Sequence, residues 1–468
     1  MSTVKVNKVT PRTCNSLQLG ESGDTLTIPA GATLQNCGTA TGFGISFCTT
    51  VKTSPFTATA GKGFFINTGS AVTVTLPASP STGDELIVID STGQAATNNI
   101  TLGRNGSKIK GLCKDGAIDI NRGGLRIVYS GSSQGWVTAT AGNDATIKQD
   151  LFVTATGGNA VVTCGNFKTH IFTANGTFCV SCAGNSGGSN TVDYFVVAGG
   201  GASSTGGYAG GGGAGGFRLS SSLGIPAPTM SPLASPTALT VTATGFPVTV
   251  GAGGTSSSGH CGPTNGSNSV FSTITSAGGG RARYPASPTG NGGDGGSGAG
   301  GSGITSTSGG SGNTPPVSPP QGNNGGAAPG GGPGFTGGGG GGAGAAGGAA
   351  SPPNSGAGGA GSFIADGVIG PTAPSYGTPG PVSSVRYFAG GGGGAGGGAD
   401  RGSPPQAYNP GPGGAGGGGA GGADANSSPG ISGTANTGGG GGGGSERPGS
   451  NCGGAGGSGI VMIRYKFQ

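Results

Sequence analysis

The sequence predicts a mainly β protein with almost no α-helix. A β-rich N-terminal domain is followed by a glycine-rich domain of packed polyglycine II-type helices framed by short strands. Three observations predict this. No segment keeps the i, i+3, i+4, i+7 apolar spacing of a helix, and no Leu follows Leu239. Short alternating runs of β-branched residues recur through the first half, separated by turn residues. Glycine is unevenly placed, with 27 of the 118 Gly in residues 1–190 and 91 in residues 191–468.

In chain order, residues 1–50 form an N-terminal segment and 51–145 a sandwich-like β domain. Strands are expected at Ala71-Val-Thr-Val-Thr-Leu76, Glu85-Leu-Ile-Val-Ile-Asp90 and Gly124-Leu-Arg-Ile-Val-Tyr129. Pro-Ala-Ser-Pro at 77–80, Ser-Thr-Gly at 91–93 and Arg-Asn-Gly at 104–106 supply the turn conformations between them. Residues 146–190 read as a β lead-in. From 191 to 468 the chain is glycine-rich, framed by Val192-Asp-Tyr-Phe-Val-Val197, Phe246-Pro-Val-Thr-Val250 and Ile460-Val-Met-Ile-Arg-Tyr465. Each of these islands is short, β-branched and flanked by Gly, the pattern of a buried strand.

Within the glycine runs a period of three is visible. Residues other than Gly fall mainly on every third position from Thr205 to Phe217, and at Asn291, Asp294 and Ser297, at Ala343, Ala346 and Ala349, and at Cys452, Ala455 and Ser458. Three residues per turn is the period of the extended left-handed helix, which has no internal hydrogen bonds. Gly at two positions in three leaves two faces bare, so neighbouring helices can approach and pair their amides, as buried backbone groups must. Such a framework carries few side chains, which moves binding to the connections between runs. The candidates are 281–289 with Arg281, Arg283 and Tyr284, 362–388 with Tyr376 and Arg386, and 400–410 with Asp400, Arg401 and Tyr408. Phe363, Tyr387 and Phe388 read as anchors packed beneath the loops.

Composition excludes several classes. Collagen needs Gly strictly at every third place, a coiled coil needs Leu-rich heptads, and no stretch of 18 apolar residues offers a membrane span. The first twenty residues lack an apolar run of signal-peptide length, so export by that route is not expected. A net charge of +6 over 468 residues is too thin to grip nucleic acid. The basic group Arg104, Lys108, Lys110 and Lys114 reads as a solvated hairpin face or a contact with an anionic partner.

The ordered set Val192-Asp-Tyr-Phe-Val-Val-Ala-Gly-Gly-Gly201, Gly-Gly-Ala-Gly-Gly-Phe-Arg218, Val248-Thr-Val-Gly-Ala-Gly-Gly254, Ser276-Ala-Gly-Gly-Gly280 and Gly457-Ser-Gly-Ile-Val-Met-Ile-Arg-Tyr465 resembles the C-terminal glycine-rich domain of bacteriophage tail fibres. His170-Ile-Phe-Thr-Ala-Asn-Gly-Thr-Phe178 resembles the lead-in strand of that domain. Met1-Ser-Thr-Val-Lys-Val-Asn7, Leu76-Pro-Ala-Ser-Pro-Ser-Thr-Gly-Asp84 and Gln134-Gly-Trp-Val137 resemble fibres of marine and cyanobacterial phages. The resemblance implies a virion tail fibre, assembled in the host cytoplasm, that mediates adhesion to the host bacterial surface. It implies a homotrimer held to a phage tail protein by its N-terminus, with a tip that binds a host-surface glycan or outer-membrane protein. It implies no membrane insertion, no nucleic-acid partner and no cofactor. A structural virion component without receptor contact is the alternative. Unusually many Cys in the lead-in and Pro-rich inserts at 314–320 depart from the pattern.

Cys164, His170, Cys179 and Cys182 form the one metal-like constellation, and a tetrahedral zinc site would need all four. Cys179 and Cys182 stand i, i+3 on strand-like sequence and so point to opposite faces. Reduced thiols packed as small hydrophobes, or a disulfide, are the other readings. A polysaccharide-cleaving tailspike would use two carboxylates at a defined separation, whereas Asp193, Asp294, Asp366, Asp400, Asp424 and Glu446 are isolated in sequence. The sequence therefore reads as non-enzymatic.

Overall fold

The computed structural model describes residues 45–139, 148–206, 208–221, 230–256, 262–283, 290–303, 305–330, 335–397, 408–423, 428–444 and 452–468. Most of the expected attachment segment, 1–50, lies outside them. The chain divides into two compact units, 1–149 and 150–468. Among the described residues, secondary structure is almost wholly β, with one four-residue helix, Asp366–Ile369, running into a 3₁₀ turn at Gly370–Ser375.

In the first unit, Ser46–Phe47, Lys62–Ile66, Glu85–Asp90, Gly124–Tyr129 and Trp136–Thr138 form one sheet. Phe56–Thr57, Val72–Thr75, Ile100–Gly103 and Gly116–Ile118 form the other. The first six strands go to the two sheets alternately, so neighbours within a sheet run parallel. The last three strands close the sheets antiparallel. The alternation Leu86, Val88 and Val72, Val74 points one set of side chains inward. They meet Phe64, Ile100, Leu102, Leu125, Ile127 and Trp136 in a single core. At the end of Glu85–Asp90, the carboxylate of Asp90 accepts from the Thr68 hydroxyl at 2.7 Å and from the amides of Thr92, Gly93, Ala95 and Arg122. Burial opposes its ionisation, but these bonds overcome that and hold its pKa at about 2.

The second unit begins with two sheets. Val153–Thr156, Gly176–Ala183, Gly245–Thr249, Ser269–Phe271 and Ile274–Ser276 form one. The other runs Ala160–Cys164, Phe167–Phe172, Ile460–Lys466, Thr191–Val197, Phe217–Ser220, Ala234–Ser235. The expected lead-in 146–190 thus shares its sheets with strands from the glycine-rich part. The segment His170–Phe178 is not one strand. It leaves the second sheet at Phe172, turns, and enters the first at Gly176, because Asn159 Oδ1 accepts the amides of Thr173 and Ala174 and fixes a corner there.

Thr191–Val197 and Ile460–Lys466 are adjacent and antiparallel, and both are covered on two faces. Val192, Tyr194, Val196, Val461, Ile463 and Tyr465 join Phe172, Phe178 and Phe271 between the sheets. Phe195, Val197, Ile460 and Met462 face a second core with Phe217, Ile364 and Phe388. Burial on both faces explains their continuous apolar runs.

Strand ends lead directly into glycine runs, which form a bundle growing from one end of this sandwich. Successive residues of the run 208–216 bond to successive neighbours. Gly211 donates to Gly338, Gly212 to Gly441 and Gly213 to Gly280, then Ala214 to Gly341, Gly215 to Gly438 and Gly216 to Ala277, at 2.7–3.0 Å. The carbonyls of the same run accept from Gly300, Gly392 and Gly201, on three further runs. Each interior run is therefore surrounded by six others. The runs 337–343 and 389–396 repeat the pattern with their own three donor and three acceptor neighbours.

Side-chain room is absent between them. A Cβ built on Gly212 would lie 2.2 Å from the Gly201 carbonyl oxygen, on Gly340 2.0 Å from that of Gly212, and on Gly392 2.1 Å from that of Gly441. Ala214, Ala343 and Ala389 instead face the Phe195–Phe388 core and seal the bundle where it meets the sheet.

Candidate functional site

Successive runs alternate in direction, so their connections fall at two ends. Pairing of Gly201 with Gly213 and of Ala198 with Gly216 sets 198–206 antiparallel to 208–216. The proximal end adjoins the sandwich. There the chain reverses at Gly416 and Gly417, both at positive φ, with the Gly416 amide donating to Thr378 Oγ1 at 2.9 Å. The distal end is where 206 and 208, 256 and 262, 283 and 290, and 397 and 408 stand. The residues between these pairs, including the candidates Tyr284, Asp400 and Arg401, lie outside the described residues.

Hydroxyls stitch the distal ends together. Ser203 Oγ donates to the Gly210 carbonyl at 2.6 Å, Ser355 Oγ to that of Ala395 at 2.7 Å, and Ser204 Oγ and Ser302 Oγ both to that of Arg283, at 3.1 and 2.7 Å. The Tyr208 and Phe335 rings meet at a tilt of 42°, with centroids 4.6 Å apart. Arg283 is half-buried, and its Nε has no hydrogen-bond partner. Arg281 donates from Nη1 to the Pro263 carbonyl at 3.2 Å. Tyr408, expected on an open loop, is 7% exposed.

Tyr376 and Arg386 stand at the opposite, proximal end. Arg386 Nε donates to the Tyr376 carbonyl at 2.8 Å and Nη2 to that of Gly377 at 2.9 Å, so its guanidinium holds the turn it faces. The segment 362–388 packs against the sandwich. Val368, Ile369 and Ala373 join Val162 and Ile171 in the core, and Thr169 Oγ1 donates to the Val368 carbonyl. Phe388 and Tyr387 are buried as anchors, and the Phe363 ring lies tilted against Tyr387 with centroids 5.3 Å apart. The structure thus separates Arg281, Arg283 and Tyr408 from Tyr376 and Arg386.

The metal-like constellation does not converge. Among the described residues no three His, Cys, Asp or Glu side chains are placed to hold a metal ion. His170 is buried, with Nδ1 2.7 Å from the Gly157 carbonyl and Nε2 3.1 Å from the Tyr465 hydroxyl, so both ring nitrogens are engaged. Burial pushes its pKa down. Cys164 and Cys179 are exposed and Cys182 half-buried, all three as free thiols. The expectation of thiols packed as small hydrophobes is therefore corrected, because alternation along Gly176–Ala183 puts Phe178 and Val180 inward and Cys179 outward. Opposite Asp193, burial lowers the pKa of Arg464, whose guanidinium lies 4.0 Å above the Phe167 ring.

A family model for a glycine-rich domain matches residues 173–466, well over half of the chain. The chain belongs to this glycine-rich domain family. The match begins in the corner after Phe172 and ends on the strand Ile460–Lys466, so the glycine-rich domain includes both its bundle and most of the sandwich beneath it. A comparison with curated proteins finds no match.

Sequence reasoning missed one set of residues in the glycine-rich domain. At part of the bundle perimeter, side chains take the place of an absent neighbour. The Gly278 and Arg281 amides donate to Asn268 and Asn265 Oδ1, and the Ser308 and Ser311 amides to Asn291 and Asp294 Oδ1, at 2.6–3.1 Å. Gly312 donates likewise to Asn324. The signal was the period of three at Asn291 and Asp294, which sequence alone left without a role.

Proposed function

We propose that this protein is a non-enzymatic virion tail fibre that binds the host bacterial surface through the distal end of its glycine-rich bundle. One observation supports the reading above the rest. The bundle is held by backbone amides between runs and keeps almost no side chains inside, so chemistry is left to its ends and perimeter. The three-residue period of the sequence and the bonds between runs support reading them as polyglycine II-type helices. The proximal end is occupied by the sandwich and by 362–388, which leaves the distal end to meet a partner. Arg281 and Arg283, both half-buried at the distal end, are of a residue type that anchors contacts, and a host glycan or outer-membrane protein is the partner class. The carboxylates support a non-enzymatic role: Asp193 accepts from Ser220 Oγ and Asp294 from the Ser311 amide. A homotrimer attached to the tail through residues 1–50 completes the proposal.

Labelled full-length protein incubated with intact host cells tests it. Replacing 398–407 by a Gly-Ser segment, together with Arg281→Ala and Arg283→Ala, is expected to abolish cell binding with thermal stability kept. Exchanging 362–388 is expected to leave host choice unchanged and to lower stability. Binding that survives the distal changes would overturn the distal end as the contact, and absence of binding by the parent protein would favour a structural component without receptor contact.

A further inference from the structure

The sandwich of the second unit carries a cavity that the bundle and its distal end do not use. It lies where Phe167–Phe172, Ile460–Lys466 and Thr191–Val197 end away from the glycine runs. Its volume is about 130 Å³, and Phe167, Ser189, Thr191, Asp193, Arg464 and Lys466 line it. Arg464 stands in register with Thr169 on one side and Asp193 on the other, so the three side chains share one face of the sheet. The guanidinium of Arg464 leans over the Phe167 ring, 4.0 Å from its centre. Asp193 leans towards the opposite neighbouring strand, where its carboxylate accepts from the Ser220 hydroxyl at 3.0 Å. Among the described residues the Arg464 guanidinium makes no hydrogen bond or ion pair, and its Nε is shut off from water. Lys466 Nζ lies 5.2 Å from the centre of the Phe152 ring and meets no carboxylate. The remaining wall is fixed by its backbone. Asn185 Oδ1 accepts the amides of Leu151, Gly187 and Gly188 at 3.0–3.1 Å, and the Ser189 amide donates to the Leu151 carbonyl. A Cβ on Gly188 would lie 2.1 Å from that carbonyl oxygen.

We infer that this cavity binds a carboxylate carried on a hydroxylated ligand, of the class of a uronic acid residue. A cation withdrawn from water without a counter-charge is costly, and an anion entering beside Arg464 offsets that cost. The planar fork of a guanidinium matches the two oxygens of a carboxylate. Two cations and Asp193 leave the wall one net positive charge. That balance suits a monoanion and penalises a dianion such as hydrogen phosphate, which would stand beside the aspartate. Asp193 and the hydroxyls of Ser189 and Thr191 supply acceptors and donors for the hydroxyl groups of the same ligand. The site is separate from the distal end of the bundle and independent of host binding there.

Ligand-observed NMR titration of the full-length protein with glucuronate, up to about 50 mM, tests this, with glucose and inorganic phosphate as the other probes. Glucuronate is expected to bind with a dissociation constant of about 1 mM. Phosphate should bind at least about fivefold more weakly, and glucose not measurably. Arg464→Gln and Lys466→Gln should each weaken glucuronate binding at least about fivefold. Thermal unfolding of each variant reports retained folding, and if Arg464→Gln loses the fold, Lys466→Gln carries the test. Absence of glucuronate binding across the range overturns the inference, as does binding indifferent to both substitutions. Phosphate or glucose bound as tightly as glucuronate overturns the assigned ligand class. Glucuronate binding lost on Arg281→Ala with Arg283→Ala, but kept in the Arg464 and Lys466 variants, belongs to the distal end and overturns this site.

Discussion

The core of the first unit and the glycine bundle solve the same problem with opposite means. Around Leu86, Val88, Ile100 and Trp136, cohesion comes from side chains removed from water, each worth about 1.5–3 kcal/mol. Around Gly212, Gly340 and Gly392 there is no side chain to bury. Cohesion there comes from amides bonded sideways to six neighbours, against the high entropic cost of fixing glycine. The first arrangement degrades gradually when an atom is removed. The second fails abruptly when an atom is added.

Paired substitutions test that contrast most strongly. Leu86→Ala is expected to cost the first unit about 2–5 kcal/mol while the bundle amides stay protected from hydrogen exchange. Gly212→Val is expected to prevent the bundle from assembling, seen as fast exchange across 209–216 and its partners. If Gly212→Val is as mild as Leu86→Ala, the contrast collapses.

Asp90 sharpens the account of the first unit. Its depressed pKa of about 2 contributes stability that is present above the unfolded value near 4 and lost as pH falls towards 2. That loss is about 2 kcal/mol, and Asp90→Asn should abolish it. Urea unfolding of the first unit at pH 2, 3, 4 and 6 checks the slope.

The sandwich should respond at higher pH. His170 has a folded pKa below its ordinary value of 6.5. The unfolded chain therefore takes up the proton first, and stability declines as pH falls below about 6.5, by up to ~1.4 kcal/mol per pH unit. His170→Phe should flatten that limb. The smallest effect is expected at the perimeter, where Asn291→Ala leaves the Ser308 amide to water at a cost of about 1 kcal/mol. An exchange rate at Ser308 unchanged by this substitution would count against the capping role.

The strands at Glu85–Asp90, Gly124–Tyr129, Thr191–Val197 and Ile460–Lys466 were legible because apolar period and β-branching are local signals. The alternation of early strands between two sheets was not, since either partner satisfies the same pattern Leu86, Val88 or Val72, Val74. In the bundle, the period of three was legible at Ala343, Ala346 and Ala349, but not which run lies beside which, because glycine carries no complementarity to read. For the same reason 362–388 looked like an open loop. Its Val368 and Ile369 are too short a signal to announce a core. Arg386 carries no mark that distinguishes a turn-holding guanidinium from a contact residue.

One consequence follows from the way bonding rotates around 208–216, where each residue serves the neighbour one third of a turn from the last. Removing one residue there, Gly212 for instance, would aim every later carbonyl at the wrong partner. Removing three would restore the aim after a shortening of about 9 Å. Length inside the runs is therefore quantised in triplets, whereas the spans joining them at the distal end obey no such count. Descendants of this chain can rewrite those spans freely while the reading frame of the threads is preserved.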